Sequence, residues 1–176
     1  NGSPSPRTST SHRNRHKSRA VTKPLKEGTP EEISPMNGGC LCGAVRFTID
    51  GKVSSIWFCH CSKCRKTTGS AFHPAALCRA ANFRWQSGED QISEYQMPSG
   101  YRTCFCRNCG SPVPSRLDEA ESMVLSVGTL DEDPESRPLR HIFAGSKAPW
   151  FEITDGLAQF DEHVPAPAKE SRHPPR

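Results

Sequence analysis

The sequence predicts a mainly β domain of short strands, an all-β sandwich or barrel carrying zinc-type cysteine groups, with disordered N- and C-terminal tails. Three observations predict it. Short extended stretches recur at close spacing, with Gly, Pro, Asn or Asp in nearly every gap and no long amphipathic helical pattern. Seven of the nine cysteines fall into tight groups, Cys40-x-Cys42, Cys59-x-Cys61-x-x-Cys64 and Cys106-x-x-Cys109. Both ends of the chain are poor in large apolar side chains and rich in proline.

Ala44 to Ile49 largely alternates apolar and polar residues and stops at Asp50-Gly51, a turn signal. Val53 to Phe58 restarts an extended segment that delivers Cys59. Ala71 to Cys78, Phe83 to Trp85, Ile92 to Gln96, Arg102 to Cys106, Met123 to Val127 and Leu139 to Phe143 complete the expected strands. A helical turn over Ser62 to Lys66 would bring Cys64 back beside Cys61 and leave Arg65 and Lys66 near both. Arg116 to Glu121 and Asp131 to Arg137 are charged and read as loops.

At 176 residues the chain has room for one domain. Residues 1–35 read as a disordered basic leader, 36–164 as the zinc-binding domain and 165–176 as a disordered Pro-rich tail. From Asn1 to Lys26 there are seven Lys/Arg and no Asp or Glu. From Met36 to Val164 there are thirteen Lys/Arg against fifteen Asp/Glu, a net of −2. The leader reads first as a dispensable solvated segment, and a nucleic acid or another polyanion could be contacted only through it, not through the domain. The leader's composition also fits an organellar transit peptide, against which its prolines and poor helical periodicity count. No apolar run approaches the ~20 residues of a membrane span. Cysteines in CxC and CxxC groups, odd in total, point to reduced, metal-bound thiolates and so to the cytoplasm.

The groups divide unevenly. Cys40, Cys42, Cys106 and Cys109 can close a tetrahedral shell, a structural zinc site. Cys59, Cys61 and Cys64 come up one ligand short, the arrangement of an open site. His60 and His73 are alternative fourth ligands, although a residue between two cysteines on an extended segment points to the opposite face. Cys104 lies two residues before Cys106 on one strand face and competes with it for the first site. Cys78 has no partner spacing and reads as a core residue. His141 is a candidate proton shuttle or a structural strand histidine, and Asp155 before Gly156 reads as a turn residue.

Gly38-Gly39-Cys40-Leu41-Cys42-Gly43, Cys59-His60-Cys61-Ser62-Lys63-Cys64-Arg65-Lys66, Phe105-Cys106-Arg107-Asn108-Cys109-Gly110, and His141-Ile142 with Gly145-Ser146-Lys147-Ala148-Pro149-Trp150-Phe151 stand in that order. Together they resemble the glutathione-dependent formaldehyde-activating family, which also includes centromere protein V. The resemblance covers about Asn37 to Val164. It sharpens the fold to a β-tent-like arrangement of small sheets clamped by zinc, and implies two Zn2+ per chain and selection of Cys106 and Cys109 over Cys104. It implies a carbon–sulfur lyase like S-(hydroxymethyl)glutathione synthase, with catalysis at Cys59, Cys61 and Cys64. Its partners would be glutathione or a similar small thiol and formaldehyde or a related small aldehyde. Arg65, Lys66, Lys147 and Trp150 are then candidates for binding the substrate, whose two carboxylates need cationic or amide partners. The alternative is a zinc-stabilised binding module or glutathione carrier without catalysis.

Overall fold

The computed structural model describes residues 34–117 and 120–164. The expectations for the leader and the Pro-rich tail lie outside these residues, apart from Ser34 and Pro35. In chain order the regular elements are β1 (Met36–Gly39), β2 (Arg46–Ile49), β3 (Ile56–Cys59), α1 (Ser62–Thr68), β4 (His73–Arg79), β5 (Phe83–Ser87) and β6 (Ile92–Gln96). They continue as β7 (Arg102–Cys106), β8 (Pro112–Val113), β9 (Ser115–Leu117), β10 (Ser122–Ser126), β11 (Pro138–Ile142) and β12 (Ala158–Gln159).

The strands form three sheets, ordered β1-β2-β5, β12-β11-β3-β4-β10-β9 and β6-β7-β8. Pairing is antiparallel except that β11 runs parallel to both β3 and β12. The β11–β3 register slips between Pro138 and Arg140. Proline has no amide to donate to the ladder, and the slip leaves Leu139 half exposed.

The main core gathers Phe47, Ile49, Ile56, Ala76, Met123 and Leu125 from the first two sheets, with Val53 from the connection between β2 and β3. Phe47, Phe83 and Trp85 stack or meet edge-on with ring centroids 4.7 to 6.1 Å apart. Gly38 explains its own identity here, since a Cβ would lie 2.4 Å from the Phe47 ring and 2.6 Å from the Thr129 carbonyl. Thr48 breaks the expected alternation by being buried, and its hydroxyl is satisfied by the Met36 carbonyl and Asn37 Oδ1. Two smaller apolar clusters lie beside this core. One surrounds Cys40 and Cys106, the other Cys59 and Cys64.

Ile92–Gln96 and Arg102–Cys106 form strands over the expected residues. The others shift at their ends by one to three residues, as strand limits follow the partner's length. β1, β8, β9 and β12 were not expected. β1 contains two glycines and β12 is two residues long, so neither carries a local strand signal. β9 corrects the reading of Arg116 as loop, because Met123 pairs with it across the sheet edge.

Candidate functional site

The first cysteine site joins two turns. Cys40 and Cys42 stand in the β1–β2 turn, closed by hydrogen bonds from the Cys40 amide to the Val45 carbonyl and from the Gly43 amide to the Cys40 carbonyl. Cys106 ends β7 and Cys109 stands in the turn to β8, where the Gly110 amide donates to the Cys106 carbonyl. Gly110 takes φ +75°, a left-handed conformation that glycine adopts without strain. The four sulfurs lie within 4.8 Å of one another. Cys42 is 3.5 Å from Cys40 and 3.8 Å from Cys106. A tetrahedron with zinc–sulfur bonds of about 2.3 Å has edges of about 3.8 Å, so the donor set fits the metal.

Backbone and hydroxyl donors favour negative sulfur at Cys40 and Cys109, whereas Cys42, despite the Ala44 amide, is pushed up to about 11 by the neighbouring Cys40 and Cys109 sulfurs. The Val45 amide donates to the Cys40 sulfur at 3.2 Å. The Ser111 hydroxyl and amide and the Cys42 amide pull the Cys109 thiol down to about 5. Cys104 stays apart. It is buried, faces Glu94 at 3.8 Å and is pushed up to about 11, mainly by burial.

The second site is built on the end of β3 and the start of α1. Cys59 closes the strand, Cys61 caps the helix, and Cys64 lies in its first turn. Their three sulfurs also lie within 4.8 Å of one another, with no fourth Cys, His, Asp or Glu among the described residues in that group. The Cys64 thiol, burial and the Cys61 amide and thiol act on Cys59, burial alone raising it, with a net fall to about 6. Cys64 is pushed above the ordinary thiol range by its bond to Cys59 and by burial. The donor set is again soft and suited to zinc.

His60 does not join it. Its ring turns inward, and Nε2 meets Nδ1 of His141 at 2.8 Å. His73 is likewise engaged elsewhere, at 2.8 Å from the Ser126 hydroxyl. Cys78 is buried in the main core.

The candidate substrate residues take different positions. Arg65 donates from Nε to the His60 carbonyl at 3.2 Å and from a terminal nitrogen to the Ser146 carbonyl at 3.3 Å, tying α1 to the Gly145–Lys147 loop. Lys66 is exposed and lines a cavity of about 380 Å³ with Thr67, Tyr95, Thr103, Phe105, Gly110 and Pro112. Lys147 donates to the Phe151 carbonyl at 3.2 Å. Trp150 is 72% exposed, so it is not a core residue. Phe151 instead packs on His60 and Phe72.

Three neighbours escaped the sequence reading. Phe143 packs against the Cys59–Cys64 cluster with φ +57°, a strained value for a bulky residue. His163 meets the Phe143 ring edge-on at 4.6 Å, and its charge helps lower Cys59. The Tyr101 hydroxyl is 2.9 Å from that of Thr67, and Lys63 lies 5.6 Å over its ring. Burial, then the nearby thiolates, raise the Tyr101 phenol against the pull of Thr67. None of these residues has a spacing that links it to the cysteines, and only the fold brings them near.

No helix among the described residues is long and apolar enough to cross a membrane. The sequence model of the glutathione-dependent formaldehyde-activating enzyme family matches residues 35–146. A Halomonas elongata protein named as a glutathione-dependent formaldehyde-activating enzyme is 31% identical over 131 residues, covering 67% of this chain and 80% of its own length. A crystal structure of a Rhodobacter sphaeroides protein is similar at a TM-score of 0.47 and 25% identity, covering 58% of this chain and 99% of that one. With the family match spanning most of the domain and both cysteine clusters assembled, this chain belongs to the glutathione-dependent formaldehyde-activating enzyme family.

Proposed function

We propose that the chain is a zinc-dependent carbon–sulfur lyase of the S-(hydroxymethyl)glutathione synthase type. It joins a small thiol, glutathione or one like it, to formaldehyde or a related small aldehyde. The observation that carries this reading is the asymmetry of the two clusters, four sulfurs in one and three in the other. A closed shell is structural, whereas three ligands leave a position for a reactant.

Cys59, Cys61 and Cys64 would hold the second metal ion, and Cys40, Cys42, Cys106 and Cys109 the first. Zinc on three thiolates supplies a soft Lewis-acid position suited to a fourth thiolate, and its net charge of −1 disfavours zinc-hydroxide hydrolysis. The buried faces of Phe143 and Phe160 pack against the cluster and limit water there. Lys66 on α1 and Lys147 in the loop that Arg65 ties to α1 would be partners for the substrate's carboxylates. Trp150 offers an exposed apolar face beside that loop.

In the reaction the substrate sulfur forms a bond to the aldehyde carbon. The carbonyl π pair moves to oxygen, which gains the proton the thiol released. The reverse step breaks the carbon–sulfur bond. Exchange spectroscopy with labelled formaldehyde and glutathione tests this directly. Acceleration over the free reactants, lost on Cys61→Ser, is expected. Thiol binding without acceleration would make the protein a carrier and contradict the enzyme reading.

A further inference from the structure

His60 stands between two of the three cysteines, yet its side chain runs away from them into a buried relay. Its Nε2 lies 2.8 Å from Nδ1 of His141, and Nε2 of His141 lies 3.0 and 3.1 Å from the two oxygens of Asp155. Both imidazoles are sealed, at 0% and 1% exposure. Phe58 packs on the His141 ring at 5.2 Å, and Phe72 and Phe151 pack on the His60 ring at 5.4 and 5.8 Å. Asp155 lies at the surface, its Oδ1 also accepting from the Leu157 amide.

A carboxylate only accepts, so Nε2 of His141 carries a proton and donates it to Asp155. On the far side, Nδ1 of His60 is buried with no hydrogen bond of normal geometry, and the Ala71 backbone is the other polar group that acts on the ring. The well-formed hydrogen bond of the His60 ring is therefore the one through Nε2, and that hold runs through His141 to Asp155. A buried polar ring depends for its orientation on the few hydrogen bonds it makes, and this is the strongest of them.

We propose that Asp155 is a positioning residue for the three-cysteine metal site. Acting through His141, it fixes the His60 ring and with it the backbone on which Cys59 and Cys61 stand. The backbone of His60 is tied as well, its amide to the Ile142 carbonyl at 3.0 Å and its carbonyl to Arg65 Nε at 3.2 Å. Successive side chains on an extended segment point to opposite faces. Anchoring the middle residue inward therefore holds both neighbouring sulfurs outward, toward Cys64. Removing the carboxylate leaves the His141 donor unpaired and both rings free to re-pair.

The inference rests on the reading of Cys59, Cys61 and Cys64 as metal ligands, and not on the reaction they serve. Cobalt titration against a chelating dye, on the full chain and its Asp155→Ala and Asp155→Asn variants, tests it. Asp155→Ala is expected to weaken the three-cysteine site about tenfold, the lower end for outer-shell partners, and to alter its cobalt spectrum. The four-cysteine site should keep its affinity, and Asp155→Asn, which retains an oxygen acceptor, should recover most of the loss. Equal weakening of both sites would show a general loss of stability and overturn the proposal, as would an unchanged three-cysteine site. A wild-type chain that takes up a single cobalt would instead refute the metal reading, and the inference with it, before any substitution is made.

Discussion

The backbone amide of Cys64 donates to the sulfur of Cys61 across 3.4 Å, so one cysteine of the three-cysteine cluster also caps the helix that delivers another. Helix caps are ordinarily oxygen acceptors, with serine among the best. Cys61→Ser should therefore keep α1 capped while removing a metal ligand. We expect uptake to fall from two ions per chain to one, catalysis to be abolished, and the melting temperature of the metal-loaded protein to move by only a few degrees. Metal analysis with thermal unfolding checks all three.

Cys109→Ser should behave in the opposite way. Its sulfur joins the β7–β8 turn to the β1–β2 turn, closing a long stretch of chain. Structural zinc contributes folding free energy outright, ~10 kcal/mol or more in small domains. A loss of a third of that, about 3 kcal/mol, is expected in denaturant unfolding with zinc present. Equal destabilisation by Cys61→Ser and Cys109→Ser would erase the distinction between a structural and an open site.

Metal loading at the three-cysteine site should be pH-dependent with a definite sign. Cys59 is drawn down to about 6, first by the Cys64 thiol, whereas Cys64 is pushed above the ordinary thiol range by the same contact and by burial. Near neutral pH Cys59 is thus already a thiolate and Cys64 still holds its proton. Binding must release at least that proton, so affinity rises with pH and falls as pH drops. The slope should steepen below about 6, where Cys59 must lose a proton too. Dye-competition titrations from pH 5.5 to 8 measure it, and a flat profile would contradict the assignment.

Arg65 separates clamp from substrate contact. It spans the His60 and Ser146 carbonyls, which an ammonium's compact charge reaches less well. Arg65→Ala should cost about 1–2 kcal/mol in denaturant midpoint analysis, with Arg65→Lys recovering part of it. Weakened glutathione binding at unchanged stability would show that Arg65 acts on the ligand and not on the loop.

Much of this organisation was legible in the residues themselves. Cysteine pairs two or three apart bring sulfurs together locally whatever the distant fold does, which is why Cys40 with Cys42 and Cys106 with Cys109 could be read as pairs. Ile92–Gln96 and Arg102–Cys106 carry strong β-branched and aromatic signals and form strands at those limits. β1 does not, because Gly38 and Gly39 are chosen for close approach to Phe47 and Val45 rather than for strand propensity. The tie from His60 through His141 to Asp155 was hidden for another reason. It joins residues 81 and 14 positions apart; the parallel pairing of β3 with β11 brings His60 beside His141, and the chain after β11 returns Asp155 to it. Asp155 is the turn residue its neighbour Gly156 suggested, since it accepts from the Leu157 amide, and it is also a partner of His141.

The central claim is that the two clusters differ in kind, one closed and one open to a thiol. Spectroscopic titration of the two-cobalt protein with glutathione tests it most directly. The account predicts two metal ions per chain, with glutathione altering the thiolate–cobalt bands of the Cys59–Cys61–Cys64 site alone. Two ions whose spectra both ignore the thiol would contradict it and leave a protein whose metals serve only its fold.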